Sequence, residues 1–108
     1  MNIQKYNDQP YTLEELYDEF DHRDRPSFDE FSKYRFLWIV NENDSYYGGD
    51  IHLIYEYEDH YYLVRSDHCS CNSFAWDPEE SELPFLYKLY PDLDIEKECL
   101  TKNNESQR

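Results

Sequence analysis

The sequence predicts an α+β fold, a small antiparallel β-sheet of about three strands with N-terminal and C-terminal helices packed on it. Three observations lead there. Ile51, Leu53, Tyr55 and Tyr57 alternate with His52, Ile54, Glu56 and Glu58, the period of two of a half-buried strand. Residues 61–67 are equally rich in strand formers and follow a polar turn, Glu58-Asp59-His60, so the two runs read as a hairpin. Phe36-Leu37-Trp38-Ile39-Val40 is a continuous apolar run, expected to be a central strand buried on both faces.

In chain order, residues 1–11 are expected to be a loosely held lead-in. Thr12 and Glu15 have capping-box spacing, and Leu13, Leu16, Tyr17 and Phe20 fall at i, i+3, i+4 and i+7. The opposite side of this helix carries Glu14, Glu15, Asp18, Glu19 and Asp21. Two like-charged i,i+4 pairs result, each costing a few tenths of a kcal/mol. A charged break, Asp21 to Pro26, leads to Ser27 and Glu30, a second capping-box spacing that opens a short helix with Phe28 and Phe31.

Asn41 to Ser45 read as a turn, and Gly48-Gly49 as a bend or bulge at the hairpin entry. With Asp59 and His60 at the turn centre, Tyr57 faces Tyr62 and Tyr55 faces Val64. Ile51, Leu53, Tyr55, Tyr57, Tyr62 and Val64 then share one apolar face, and the other face is mixed and wetter. Asp77-Pro78-Glu79-Glu80 carries helix-start signals. Because Pro84 must also lie in a first turn, the main C-terminal helix is placed from about Ser81, over Leu83 to Tyr90. Its apolar stripe is Leu83, Leu86, Tyr87 and Tyr90, and Pro91 ends it. Residues 95–100 are expected to add a final turn or two and 101–108 to fray. Trp38 and Trp76 are expected to be largely buried.

At 108 residues the chain suits one domain, 1–108, with one core. Twelve Tyr, six Phe and two Trp make that core ring-rich. Twenty-five acids face ten bases, a formal net charge of −15. The acids are spread evenly, twelve in residues 1–50 and thirteen in 51–108, so the excess covers the surface instead of forming a tail. Direct binding to nucleic acid or an anionic membrane is disfavoured, because phosphates would be repelled. No apolar run approaches the ~20 residues that span a bilayer, and the first ten residues lack the apolar segment of a signal peptide. A cytoplasmic location is expected, with reduced cysteines.

Tyr46-Tyr47-Gly48-Gly49, Tyr61-Tyr62-Leu63-Val64, His68-Cys69-Ser70-Cys71 and Trp76-Asp77-Pro78-Glu79-Glu80 occur in this order. The segment from Tyr46 through Leu83 resembles a group of small, mostly uncharacterised proteins from phages and prophages. The group's glycine before the His-Cys-Ser-Cys run is Asp67 here, and a second glycine is replaced around Ser73-Phe74. The resemblance implies a phage or mobile-element origin, and with it the cytoplasm of a bacterial host. It implies no catalytic activity.

His68, Cys69 and Cys71 are the residues suited to zinc, with a fourth ligand drawn from His52, His60 or Cys99. Zinc sites usually combine two such pairs, and no second pair exists, so the cysteines are expected to be structural and no cofactor is required. Cysteine catalysis needs a base beside the thiol. His68 points away from Cys69 in an extended segment, so no enzymatic function is expected.

The expected function is therefore binding. A small acidic phage-type protein, monomeric or a small homo-oligomer, would inhibit a bacterial nucleic-acid-binding defence protein. A CRISPR effector or a restriction nuclease is the target class. Its carboxylates would occupy lysine and arginine sites that otherwise hold phosphates, as a DNA mimic does. The expected contacts are Glu14, Glu15, Asp18, Glu19, Asp29, Glu30, Glu56 and Glu58. The alternative is a metal-stabilised structural or accessory phage protein centred on the His-Cys-Ser-Cys loop.

Overall fold

A two-residue turn holds the middle of the fold. Glu58 and Asp59 both have positive φ, 53° and 69°, as in the tight turns whose twist matches that of the strands they join. Tyr57 pairs with His60 directly across it. The centre is thus one residue earlier than Asp59-His60, and Tyr55 faces Tyr62 while Leu53 faces Val64. Moving each partner by two residues leaves every side chain on its expected face. Stacking of Tyr55 on Tyr62, with ring centroids 5.0 Å apart, accompanies the observed register.

The computed structural model describes residues 2–5, 12–43, 49–68 and 73–98. Its elements in chain order are β1 (Asn2–Lys5), α1 (Leu13–Asp18), α2 (Phe28–Phe31), β2 (Arg35–Asn43), β3 (Gly49–Tyr57), β4 (His60–His68), β5 (Glu79–Ser81) and α3 (Leu83–Leu89). The fold is α+β, with one antiparallel sheet in the order β1-β2-β3-β4-β5. Five strands replace the expected three, and the two additions are the edges. Asn2–Lys5, expected to be part of a loose lead-in, pair with Val40–Asn43 of β2. Glu79, Glu80 and Ser81, expected to begin a helix, pair with Leu63, Tyr62 and Tyr61. Such edges satisfy backbone groups that would otherwise be left open on β2 and β4, and a short acidic strand such as β5 discourages further pairing.

The helix signals at α1 and α2 hold. Thr12 and Glu15 form both halves of a capping box at α1. The Ser27 hydroxyl accepts from the Glu30 amide at α2. α3 begins at Leu83 with Pro84 in its first turn, and Glu82 at the N-cap makes no side-chain cap bond. Ile95 lies in a turn and not in a helix, and residues 99–108 fall outside the described part of the chain, as do 44–48 with the Gly48 bend.

One core lies between the sheet and the N-terminal helices. It unites Leu16 and Phe20, Phe31 of α2, Phe36 and Ile39 of β2, Leu53 and Tyr55 of β3, and Trp76. Phe20 and Trp76 meet edge to face at 4.9 Å. The Phe74 amide donates to the Glu19 carbonyl (3.0 Å), and the Asp21 amide donates to the Phe74 carbonyl (2.8 Å). These two bonds strap the segment before β5 to the end of α1.

A second core lies on the other sheet face, where Leu37, Ile54, Leu63, Leu86 and Leu93 are buried. This face is not the wetter one expected: Ile54 and Leu63 are 0% and 1% exposed because α3 covers them. A β-bulge between Phe36 and Trp38 breaks the alternation of β2, which like β3 and β4 faces both cores. It sends Phe36 and Ile39 to the first, and Leu37 with half-buried Trp38 to the second. Trp76 is buried at 9% exposure, whereas Trp38 is only half-buried. Among the described residues no helix is long and apolar enough to cross a membrane.

Candidate functional site

The acidic residues sort by the face they occupy and by what each carboxylate already holds. Glu14 and Glu15 stand in the first turn of α1, where the helix dipole favours negative charge. Glu14 is exposed. Glu15 is exposed too, but its carboxylate accepts the Thr12 amide (3.0 Å) while its own amide donates to the Thr12 hydroxyl (3.1 Å). Asp18 is exposed and lies 3.7 Å from the Arg25 guanidinium. Glu19 is half-buried, its carbonyl taken by Phe74.

Arg25 gives the end of α1 its shape. Its Nη1 donates to the Tyr17 carbonyl (2.8 Å), which also accepts the Phe20 amide, and to the Phe20 carbonyl (3.4 Å), both at the end of the helix. The guanidinium lies over the Tyr17 ring, 3.8 Å from its centroid. The following turn is pinned by Asp21, which accepts from the Arg23 amide and guanidinium. Those hydrogen bonds hold the Asp21 carboxyl well below the usual carboxylate range.

On α2, Asp29 is exposed and 3.6 Å from Lys33, an i,i+4 pair. Glu30 is exposed, yet its Oε2 accepts the Tyr34 hydroxyl at 2.7 Å. Burial, reinforced by Glu30, pushes the Tyr34 hydroxyl above its ordinary pKa. Burial likewise raises Tyr55.

Glu56 and Glu58 sit elsewhere. Glu56 alternates with Tyr55 and Tyr57, so it lies on the α3 side of the sheet. Arg35 holds it through Nε and Nη2, 2.9 and 2.8 Å from Oε1. Arg35 Nη2 also donates to the Ile95 carbonyl (2.8 Å), tying the C-terminal segment to β2. Glu58 projects from the hairpin turn. The structure therefore gathers Glu14, Glu15, Asp18, Asp29 and Glu30 on the surface of the N-terminal helices and separates Glu56 from them, while Glu58 and Glu30 both bear on the Tyr57 hydroxyl.

Of the zinc candidates, His68 ends β4, while Cys69, Cys71 and Cys99 lie outside the described residues. The proposed fourth ligands are engaged: His52 Nδ1 is 2.7 Å from the Tyr90 hydroxyl, and His60 Nδ1 is 2.7 Å from Glu80 Oε2. His60 and His68 begin and end β4, roughly 27 Å apart at the rise of an extended strand, which removes His60 from any shared site. Among the described residues no group of three His, Cys, Asp or Glu is placed to hold a metal.

One surface feature departs from the periodicity expected of the C-terminal helix. Phe85, Tyr87 and Leu89 of α3 are 45%, 40% and 37% exposed. Tyr87, expected on the buried stripe, is outside it, and the stripe is Leu83, Leu86 and Tyr90. The sequence signal for this surface is the i,i+4 pair Phe85 and Leu89, apolar residues outside that stripe.

No family model, curated protein or solved structure matches the chain.

Proposed function

We propose that this protein is an acidic inhibitor that docks on the basic groove of a bacterial nucleic-acid-handling protein, with a CRISPR effector or restriction nuclease as the target class. The observation that carries the reading is the collection of exposed carboxylates from α1 and α2 on one side of the sheet. Their helices are held rigidly by two N-caps, by Arg25 and by a ring-rich core. Fixed carboxylates present lysine and arginine with the acceptors a phosphate backbone offers, without the entropy loss of ordering a flexible tail. A −15 net charge steers such a partner at low salt. The phage and prophage resemblance supports the bacterial setting.

The choice of test residues follows from their contacts. Reversing Glu15 would break the capping box, and reversing Glu19 would disturb a half-buried position. Glu14 and Asp29 carry exposed charge, and their reversal costs only the solvated Asp29–Lys33 pair and the helix-start charge, a few tenths of a kcal/mol each. The wild-type chain, immobilised, is used to capture protein from a bacterial lysate with elution by a salt gradient. The Glu14→Lys/Asp29→Lys variant is then compared against the captured protein. The expected result is a basic partner released by salt and bound about tenfold more weakly by the variant, a loss of ~1.4 kcal/mol. A partner held equally by both proteins, with the same salt dependence, would end the phosphate-substitute mechanism. One zinc per chain, lost with Cys71→Ser, would favour the metal-stabilised alternative.

A further inference from the structure

α3 buries Leu86 completely against the second core, yet it turns Phe85 and Leu89 outward, four residues apart on one side. In a chain so rich in charge, two neighbouring large apolar side chains left 45% and 37% exposed at i,i+4 form an apolar ridge that no described residue covers fully. They lie on the opposite sheet face from α1 and α2. This ridge is therefore separate from the acidic helices, and its role is independent of the inhibitory function proposed for them.

We infer that the Phe85–Leu89 ridge of α3 is a docking site for a basic amphipathic helix of a partner protein. The choice of occupant follows from charge. Glu82 at the N-cap and Asp92 just beyond Pro91 are both exposed, and neither forms an ion pair among the described residues. The apolar pair thus lies between two uncommitted carboxylates. A second copy of this chain would bring a further −15 to the contact, and an anionic membrane would add phosphates to an acidic rim. A cationic helix lowers both penalties.

The geometry suits a helix. α3 has seven residues and is about 10 Å long, so two turns of a partner helix cover it. Apolar side chains at i, i+3 or i+4, and i+7 would pack across Phe85 and Leu89, with lysine or arginine at the ends reaching Glu82 and Asp92. An apolar centre with a charged rim is the usual anatomy of a protein interface. Lys88 is the one cation on α3 and follows Phe85 by three residues. It opposes a basic partner, which makes it a sensitive probe.

The test uses the full chain and a fluorescein-labelled synthetic peptide of about 14 residues, with leucines on one helical face and lysines on the other. A scrambled peptide of identical composition is the control, because any cationic peptide is attracted to an acidic protein. Anisotropy titrations are expected to show the amphipathic peptide binding more tightly than the scrambled one. Phe85→Ser/Leu89→Ser should erase that advantage, weakening the amphipathic peptide about fivefold or more. Lys88→Glu should strengthen it. Glu14→Lys/Asp29→Lys should preserve the advantage over the scrambled peptide, which separates this surface from the one on α1 and α2. Far-UV circular dichroism checks that each variant is folded. Equal binding of the two peptides, or a Lys88→Glu variant that binds no tighter than wild type, would overturn the proposal. Sedimentation showing a dimer that Phe85→Ser/Leu89→Ser dissociates would assign the ridge to a second copy and overturn it too.

Discussion

Tyr34 lies flat on Tyr55, with ring centroids 4.2 Å apart and 14° between the planes, and donates its hydroxyl to Glu30 at 2.7 Å. Tyr34 thereby joins the acidic surface of α2 to the central strand β3. Both rings are buried, so the stack contributes area as well as orientation. Tyr34→Phe removes one hydrogen bond and is expected to cost about 1 kcal/mol. Tyr55→Ala empties a buried ring site and is expected to cost about 3–5 kcal/mol. Urea denaturation measures both, and a Tyr55→Ala loss below that of Tyr34→Phe would contradict the packing described.

The same pair sets the behaviour in alkali. Burial raises both hydroxyls above the ordinary value of 10.0, so the folded state holds these protons more tightly than the unfolded chain does. Their contribution is whole below about pH 10 and is lost as pH rises above it. Stability should fall progressively as pH rises above about 10, and the fall should be smaller in Tyr34→Phe/Tyr55→Phe. An identical decline in wild type and variant would show that other groups control it.

The hairpin turn can be improved. Glu58 and Asp59 adopt positive φ, a conformation that asparagine and glycine take more readily. Glu58→Asn with Asp59→Gly is expected to raise stability by about 0.5–1 kcal/mol, read as a higher urea midpoint with an unchanged slope. A lower midpoint would mean that the two side chains serve the fold in some other way.

Arg25 acts through the carbonyls it caps and the ring it covers, and little through Asp18. Arg25→Ala should therefore cost about 1–3 kcal/mol, and Arg25→Lys should recover only part of it, because an ammonium cannot lie flat on the Tyr17 ring as the planar guanidinium does. Asp18→Asn should lie within about 0.5 kcal/mol of wild type, since the 3.7 Å ion pair is largely solvated. Thermal melts of the three variants decide between capping and charge pairing as the source of the Arg25 effect.

The tryptophans differ in kind. Trp38 is half-buried, and its Nε1 is enclosed without a hydrogen-bond partner among the described residues. Trp38→Phe removes that unsatisfied donor and should change stability by no more than about 1 kcal/mol, whereas Trp76→Ala should cost several times more. With Trp76 replaced by Phe, the remaining Trp38 emission should be quenched by acrylamide more readily than Trp76 emission is in the Trp38→Phe variant.

Some of this protein was determined by its sequence alone. The starts of α1 and α2 follow from Thr12/Glu15 and Ser27/Glu30, because capping is settled within four residues. Which residues of β3 and β4 share a face follows from strand alternation. Even a turn misplaced by one residue left Tyr55, Tyr57, Tyr62 and Val64 together, because the register moved by two. The exposure of most candidate acids was legible for a similar reason: a lone carboxylate stays in water wherever it falls on a small domain.

Tertiary structure decided what depends on elements distant in sequence. Pro78-Glu79-Glu80 has the local signature of a helix start, yet Glu79–Ser81 became a strand because β4 offered an edge to pair with. The bulge at Leu37 puts Leu37 and Trp38 together on the α3 side, where plain alternation would have parted them. Glu56 was committed when Arg35 and the Ile95 carbonyl came together across 60 residues of chain. The ridge of Phe85 and Leu89 emerged only when packing chose which side of α3 to bury. Local spacing sets caps and alternation, whereas the fate of a face is set by what folds back to cover it.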